Sequence, residues 1–318
     1  MRIAADDGVS RVLCGPSFPV EAARAGLEAL ARVEEGAPPW SGDDVEALLT
    51  FEPVSAEDVV RLPSLRVIAT PSVGFDHVDV VAASARGVWV CNVPDYCVDE
   101  MADHSLALLL SLVRGVVELD RSVRDGRWEY DAAGPLRRVQ DVRLGIVGFG
   151  RIGRAVAQRA LALGMDVGAH DPFLADDEIV AAGARPLALP ELLEASDAVS
   201  IHAPLTPDTQ GLLGAAEIAR LPRGALVVNA ARPGLVDTPA LLAALDGGQL
   251  GGVALDVLDV EPPTTEEPAP ASPRLVVNPH AGWYSERADA EVVARSIESV
   301  RDVLEGRRPR TAINEPTR

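Results

Sequence analysis

The sequence contains no lysine, and all 29 of its cations are arginine. Schiff-base chemistry, pyridoxal phosphate held on an amine and a P-loop phosphate site each require a lysine, so none of them is open to this chain. Cysteine is nearly as scarce. Cys14, Cys91 and Cys97 are odd in number and form no C-x-x-C pair. That pattern argues against a disulfide framework, a metal site or a dithiol redox centre, and leaves reduced thiols packed as small hydrophobes. Long apolar runs are missing too. The longest, residues 106–113, is interrupted by Ser111 and falls well short of the roughly 18–20 residues a bilayer span needs. The start, Met1-Arg-Ile-Ala-Ala-Asp-Asp, lacks a basic segment followed by an apolar one, so no secretory signal is expected and the chain reads as soluble and cytoplasmic. Positive charge is in deficit, with a formal net of -19. Such a surface repels a phosphate backbone, so neither nucleic acid nor a membrane is an expected partner.

What remains is an ordinary globular composition, 47% hydrophobic and 24% charged over 318 residues. That length is about twice the usual single domain, and two cores are expected. Short β-branched runs alternate with helical stretches: Val12-Leu13-Cys14, a helix over 21–35, Ala47-Leu48-Leu49, a helix over 55–62, Val67-Ile68-Ala69, a helix over 78–86, and Val88-Trp89-Val90-Cys91. This alternation implies a parallel sheet covered by helices on both faces. A second alternation, with strands near 142–148, 165–171, 198–202, 225–229, 253–258 and 275–278, implies a second doubly wound sheet. Between them, residues 99–117 read as one long buried helix. The helical segment 285–306 comes too late to extend the second sheet and is expected to return to the first domain. The division expected is 1–98 with 285–318 for one domain and 99–284 for the other. Residues 262–273 hold five prolines and read as a stiff loop.

Gly148-Phe-Gly150-Arg151-Ile152-Gly153 fits G-x-G-x-x-G between an apolar strand and a helix over 154–163, and Asp171 ends the next strand 18 residues after the last glycine. Here the first two glycines allow a tight turn and close approach to a pyrophosphate at the helix N-terminus, and the third allows helix and strand to pack closely. A carboxylate at Asp171 would bind ribose hydroxyls and repel a 2′-phosphate. Pro172-Phe173-Leu174 offers no compensating cation, so NAD is expected over NADP. Three further polar residues stand at strand ends: Arg232 after Val227-Val-Asn-Ala-Ala, Glu261 after the 253–258 run, and His280 after Val276-Val-Asn-Pro. Together they supply a forked cation, a group to orient an imidazole, and the imidazole itself. Those are the parts needed to reduce a carbonyl beside a carboxylate.

With His202-Ala-Pro204-Leu-Thr206-Pro-Asp-Thr209, these motifs resemble the D-isomer-specific 2-hydroxyacid dehydrogenase family along nearly the whole chain. Cys91-Asn-Val-Pro-Asp-Tyr-Cys-Val-Asp-Glu100 and His280-Ala-Gly-Trp283-Tyr-Ser-Glu286 are similar to its branch of C-terminal-binding proteins, which are NAD-binding corepressors. The resemblance implies an α/β protein with a Rossmann-type cofactor domain inserted in a flavodoxin-like substrate domain. It implies that Arg232 holds the substrate carboxylate and polarises the 2-oxo group, that His280 donates the proton and that Glu261 pairs with it. Backbone amides around Ser72-Val73-Gly74 would take the carboxylate from the other side, and Trp283 would line the substrate pocket. Asp256 would hold the nicotinamide carboxamide, while Arg151, Ile152, His202, Pro204, Thr206 and Ala230 complete the cofactor set. A homodimer through the cofactor domain is implied as well. The activity implied is NADH-dependent, reversible reduction of a small 2-oxo acid to a D-2-hydroxy acid. The alternatives are an NAD-sensing interaction protein of the corepressor type and a sister activity such as phosphite oxidation; formate oxidation is disfavoured because formate enzymes of the family carry Gln where Glu261 stands. One departure is Pro233, where the family has Gly, which removes an N–H and biases Arg232 towards extended angles. His77, His104 and His170 read as structural or solvent-facing. No regulatory module is expected after the last helix.

Overall fold

The computed structural model describes residues 9–316. The first sheet opens with β1 (Ser10–Cys14), α1 (Val20–Leu27), β2 (Ala31–Glu35), β3 (Val45–Leu49), α2 (Ala56–Arg61), β4 (Val67–Ala69), α3 (Val80–Ala85) and β5 (Trp89–Cys91). The helix expected over 21–35 is therefore a helix and a strand. Ala31 and Val33 are buried with Arg32 exposed between them, a period of two that belongs to a strand, and the segment pairs in parallel with β1. The strand order is β2-β1-β3-β4-β5, the flavodoxin-like order for a doubly wound sheet. Alternate strand residues feed opposite faces: Val12, Leu49, Val67 and Cys91 pack on one side, and Leu13, Leu48, Ile68 and Val90 on the other. Ser55 starts α2 with a capping box, its hydroxyl accepting from the Asp58 amide while Asp58 accepts from the Ser55 amide.

The second sheet follows α4 (Val98–Arg114) and α5 (Val116–Arg124). These two replace the single helix expected over 99–117, because Gly115 takes a left-handed φ of 59° and closes α4 as glycine does at a helix end. A Cβ at Gly115 would also lie 2.4 Å from that of Ala133. The chain continues through β6 (Arg143–Val147), α6 (Arg151–Ala162), β7 (Asp166–His170), α7 (Asp176–Ala181), β8 (Arg185–Pro186), α8 (Leu189–Ala195), β9 (Ala198–Ile201), α9 (Ala215–Arg220), β10 (Ala225–Asn229), α10 (Thr238–Asp246), β11 (Leu250–Leu255) and β12 (Leu275–Val277). The order β12-β11-β10-β9-β6-β7-β8 is all parallel and of Rossmann type, reversing direction between β6 and β9. The last helix, α11 (Glu286–Leu304), is capped by Ser285. It sends Ile297, Val300 and Val303 into the core of the first sheet, beside Leu27, Leu49 and Val67. The chain thus forms two compact units, one running to Tyr96 and resuming at Ser285, the other Cys97–Tyr284. Among the described residues no helix is long and apolar enough to cross a membrane. The three cysteines are buried thiols that form no disulfide, and burial pushes those of Cys14 and Cys91 up to about 12, which makes both inert.

At the amino ends of β6 and β9, buried Asp197 accepts from the Arg143 backbone amide at 3.1 Å, from Arg143 Nε and Nη2 at 2.8 Å each, and from Arg137. Burial alone would raise its carboxyl, but these donors outweigh burial and hold it well below the usual carboxylate range. A depressed carboxyl stabilises the fold above its unfolded value near pH 4, and that contribution fades as pH falls towards its folded value. Asp197→Asn should therefore cost about 2 kcal/mol at pH 7. The difference from the parent, followed by denaturant unfolding, should shrink below about pH 4.

Candidate active site

Every strand of the second sheet points the same way, so the loops leaving its carboxyl edge converge. Gly148 follows β6 with φ of 88°, and a Cβ there would lie 2.5 Å from the Ala203 amide nitrogen, just beyond β9. The crevice at the point of reversal therefore requires glycine on both conformational and steric grounds. At Gly153, in the first turn of α6, a Cβ would sit 2.2 Å from the Gly148 carbonyl oxygen. Gly150 is different, because a Cβ there would meet no protein atom within 4 Å and its φ is -70°. Protein packing does not require glycine at that position, and an exposed open seat at the N-terminus of a twelve-residue helix fits a pyrophosphate group.

Asp171 sets the other side of this seat. Its Oδ2 accepts from the Phe149 amide at 2.8 Å and its Oδ1 from the Phe173 amide at 3.0 Å. α7 begins only at Asp176, so Asp171 is not a helix cap. Beyond β9, His202 Nε2 meets Ser200 Oγ at 2.8 Å, and burial pushes the imidazole down to about 4, so it is neutral at physiological pH. Pro204 and Thr206 lie exposed in a turn closed by Thr209, whose hydroxyl donates to the Pro204 carbonyl at 2.7 Å. Arg151 is exposed, Ile152 is partly buried, and Ala230 is buried at the end of β10.

Glu261 and His280 meet. His280 Nδ1 lies 2.7 Å from Glu261 Oε2, while Glu261 Oε1 accepts from the Leu258 amide at 2.7 Å. Burial favours the protonated carboxyl, but the bonds from His280 and Leu258 prevail and hold Glu261 below its ordinary value. Arg232 leaves the adjacent β10 in an extended conformation, φ -144° and ψ 140°. That is the region a following proline favours, so Pro233 stiffens a backbone already in place. Asn229, buried at the end of β10, accepts from the Ala231 amide and donates to the Arg232 carbonyl, closing the turn that presents the guanidinium.

Asp256, just beyond β11, is enclosed by protein donors. Its side chain is 0% exposed. Oδ1 accepts from the Ala281 amide at 2.9 Å and lies 3.2 Å from His104 Nε2, and Oδ2 accepts from the Gly282 amide at 2.8 Å. The carboxylate expected to hold a carboxamide is here engaged in shaping the turn after His280. Trp283, partly buried, stands edge-on to Tyr284 with ring centroids 5.6 Å apart.

In the other unit, Ser72-Val73-Gly74 forms a braced loop. Asn92 Nδ2 donates to the Val73 carbonyl at 2.7 Å, Ser72 Oγ donates to the Gly74 carbonyl at 2.5 Å, and Thr70 Oγ1 contacts both Ser72 Oγ and His77 Nε2. Among the described residues the Val73 and Gly74 amides meet no protein acceptor. Asn92, Thr70, His77, Asn229 and His104 were not distinguishable as site residues in the sequence. The only available signal was a polar side chain ending or interrupting an apolar run.

Fold and site together define a two-unit α/β protein with a dinucleotide-binding Rossmann unit. The model for the D-isomer specific 2-hydroxyacid dehydrogenase NAD binding domain matches residues 106–282, more than half of the chain. Glyoxylate reductase of Korarchaeum cryptofilum is 37% identical over 276 residues, covering 86% of this chain and 83% of its own. D-3-phosphoglycerate dehydrogenase of Mycobacterium tuberculosis is 39% identical over 261 residues, 82% of this chain, though the match spans only 49% of that longer protein. Among solved structures, D-lactate dehydrogenase of Aquifex aeolicus, complexed with NAD and lactic acid, superposes with a TM-score of 0.88 at 26% identity, covering 96% of this chain and all of that one. The NADPH-dependent glyoxylate/hydroxypyruvate reductase of Sinorhizobium meliloti, in complex with NADP and malonate, gives 0.86 at 26%, covering 97% and 98%. The chain belongs to the D-isomer-specific 2-hydroxyacid dehydrogenase family.

The three loop glycines separate fold from ligand. Gly153→Ala should lower the melting temperature by several degrees, because the helix must move off the strand. Gly150→Ala should melt with the parent yet bind NADH at least about tenfold more weakly, a loss of roughly 1.4 kcal/mol. Thermal melts with NADH fluorescence titrations compare the two.

Proposed function

We propose that this chain is an NAD-dependent oxidoreductase that interconverts a small 2-oxo acid and its D-2-hydroxy acid. The observation that carries the reading is the 2.7 Å Glu261–His280 pair on the loops after β11 and β12, with Arg232 on the neighbouring loop after β10. NADH, when bound, supplies the hydride that goes to C2 of the oxo acid. Arg232 grips the carboxylate through its fork and stabilises the negative charge that develops on the 2-oxo oxygen. Trp283 lines the pocket for the side chain at C3. His280 Nδ1 is held by Glu261, so Nε2 delivers the proton to the alkoxide and the ring is left neutral until solvent reprotonates it. The reverse reaction starts from that neutral ring.

The Asp171 carboxylate, aimed by two backbone amides, accepts from a ribose diol and repels a 2′-phosphate, which supports NAD over NADP. A homodimer through the cofactor unit is supported by the segment after α5, where Trp128 and Tyr130 are 90% and 91% exposed. Light scattering at twice the chain mass is the expected outcome.

The deciding experiment is oxidation of NADH, and in parallel of NADPH, over glyoxylate, pyruvate, hydroxypyruvate, phenylpyruvate and phosphonate-bearing oxo acids, with phosphite tested in the oxidative direction. Turnover of at least one oxo acid with a preference for NADH is expected. Tight NADH binding with no turnover of any of them would favour the sensor reading, and turnover confined to phosphite would favour the sister activity.

The pair makes its own prediction. Glu261→Gln keeps the size of the side chain but removes the negative charge that holds the imidazole. The rate of oxo acid reduction should fall at least about tenfold, roughly 1.4 kcal/mol of barrier. NADH binding should be unchanged. A parent-like rate of reduction would show that the two side chains do not act together.

A further inference from the structure

His280 is the only non-glycine residue with positive φ among the described residues, at 54°. A side chain in that region is costly and persists only where the surroundings over-determine it. The bond to Glu261 fixes the ring but not the backbone, so the constraint on the backbone must lie elsewhere. It lies in a single residue. The amides of His280, Ala281 and Gly282 are all held by Asp256, the first by its carbonyl at 2.8 Å and the other two by its carboxylate. Asp256 is in turn fixed to the sheet, its own amide donating to the Asn229 carbonyl at 3.0 Å. Gly282 must be glycine for this approach, because a Cβ would lie 2.8 Å from Asp256 Oδ2 and 3.1 Å from His104 Cδ2.

Burial disfavours the charge on this carboxylate, and each donor aimed at it offsets part of that cost. Among the described residues the only side chain that reaches it is His104, on α4, and Glu261 nearby is of the same sign. Asp256 is ionised and can only accept, so the hydrogen on His104 Nε2 points at it.

We propose that His104 is a positioning residue of the reaction: by donating to Asp256 it keeps the carboxylate charged, and the charged carboxylate holds the turn that gives His280 its left-handed backbone. This rests on the reading of His280 as the proton donor. If the donor is lost, the buried carboxyl gains by taking up a proton, becomes a poorer acceptor for two amides, and lets the turn relax.

The test uses three variants of the full chain. His104→Leu removes the donor. His104→Asn retains an amide that is too short to reach, and His104→Gln can restore an N–H at the right distance. Leucine and asparagine should each lower kcat at least about tenfold, with KM for the oxo acid and Kd for NADH within about twofold of the parent, while glutamine stays within about threefold in kcat. Hydrogen exchange of the peptide covering 278–284, measured without substrate, should quicken about tenfold in the first two variants and not in the third. That readout is independent of turnover, so a parent without oxo acid reductase activity would defeat the functional reading and leave the pin testable. Parent-like exchange in His104→Asn overturns the pin, as does a His104→Gln variant as impaired as His104→Asn.

Discussion

A parallel sheet carries the carboxyl end of every strand to one edge, and the functional reading depends on that constraint. Gly148, Asp171, His202, Arg232, Asp256 and His280 are spread over more than 130 residues, yet each lies within three residues of the end of a strand in the same sheet. The hydrogen-bond ladder therefore assembles the site, and each loop needs only to fix the last few ångströms. It does so with short local devices: an Asn229 turn for Arg232, a carboxylate grip on two amides for Asp171, and a cage of amides around Asp256.

Much of this was legible in the sequence because it is written in contiguous residues. A β-branched run followed by glycines, or ending in Arg, Glu or His, shows both the strand and the group it presents. The errors have physical causes. Residues 31–35 carry only two buried alternations, too few for a period to stand out from the helix before them, so α1 and β2 merged. Gly115 sits inside an apolar stretch that reads as unbroken unless the close approach of Ala133 is known. Of the residues missed, Asn92 and His104 act on groups remote in sequence, Asn229 acts on nearby backbone atoms, and Thr70 bonds the side chains of Ser72 and His77, and no hydrophobic period encodes such contacts.

Charge is handled in opposite ways at the two edges of the Rossmann sheet. At the amino edge Asp197 is surrounded by arginine, and its work is cohesion. At the carboxyl edge the Asp256 carboxylate meets one imidazole and the two amides of Ala281 and Gly282, and no arginine among the described residues bonds to it. The same carboxylate chemistry thus serves stability on one side and alignment on the other, separated only by the length of the strands.

The path of the chain has a consequence for how the molecule is made. The Rossmann unit, Cys97–Tyr284, is continuous, whereas the first sheet lacks the Ile297, Val300 and Val303 face of its core until α11 has been synthesised. On the ribosome the order of completion is therefore inverted. The segment translated first must wait, with part of its apolar surface uncovered, while the segment translated second can already close its own core. The nascent chain is most exposed to aggregation, and most in need of chaperone cover, during the interval in which residues 97–285 emerge.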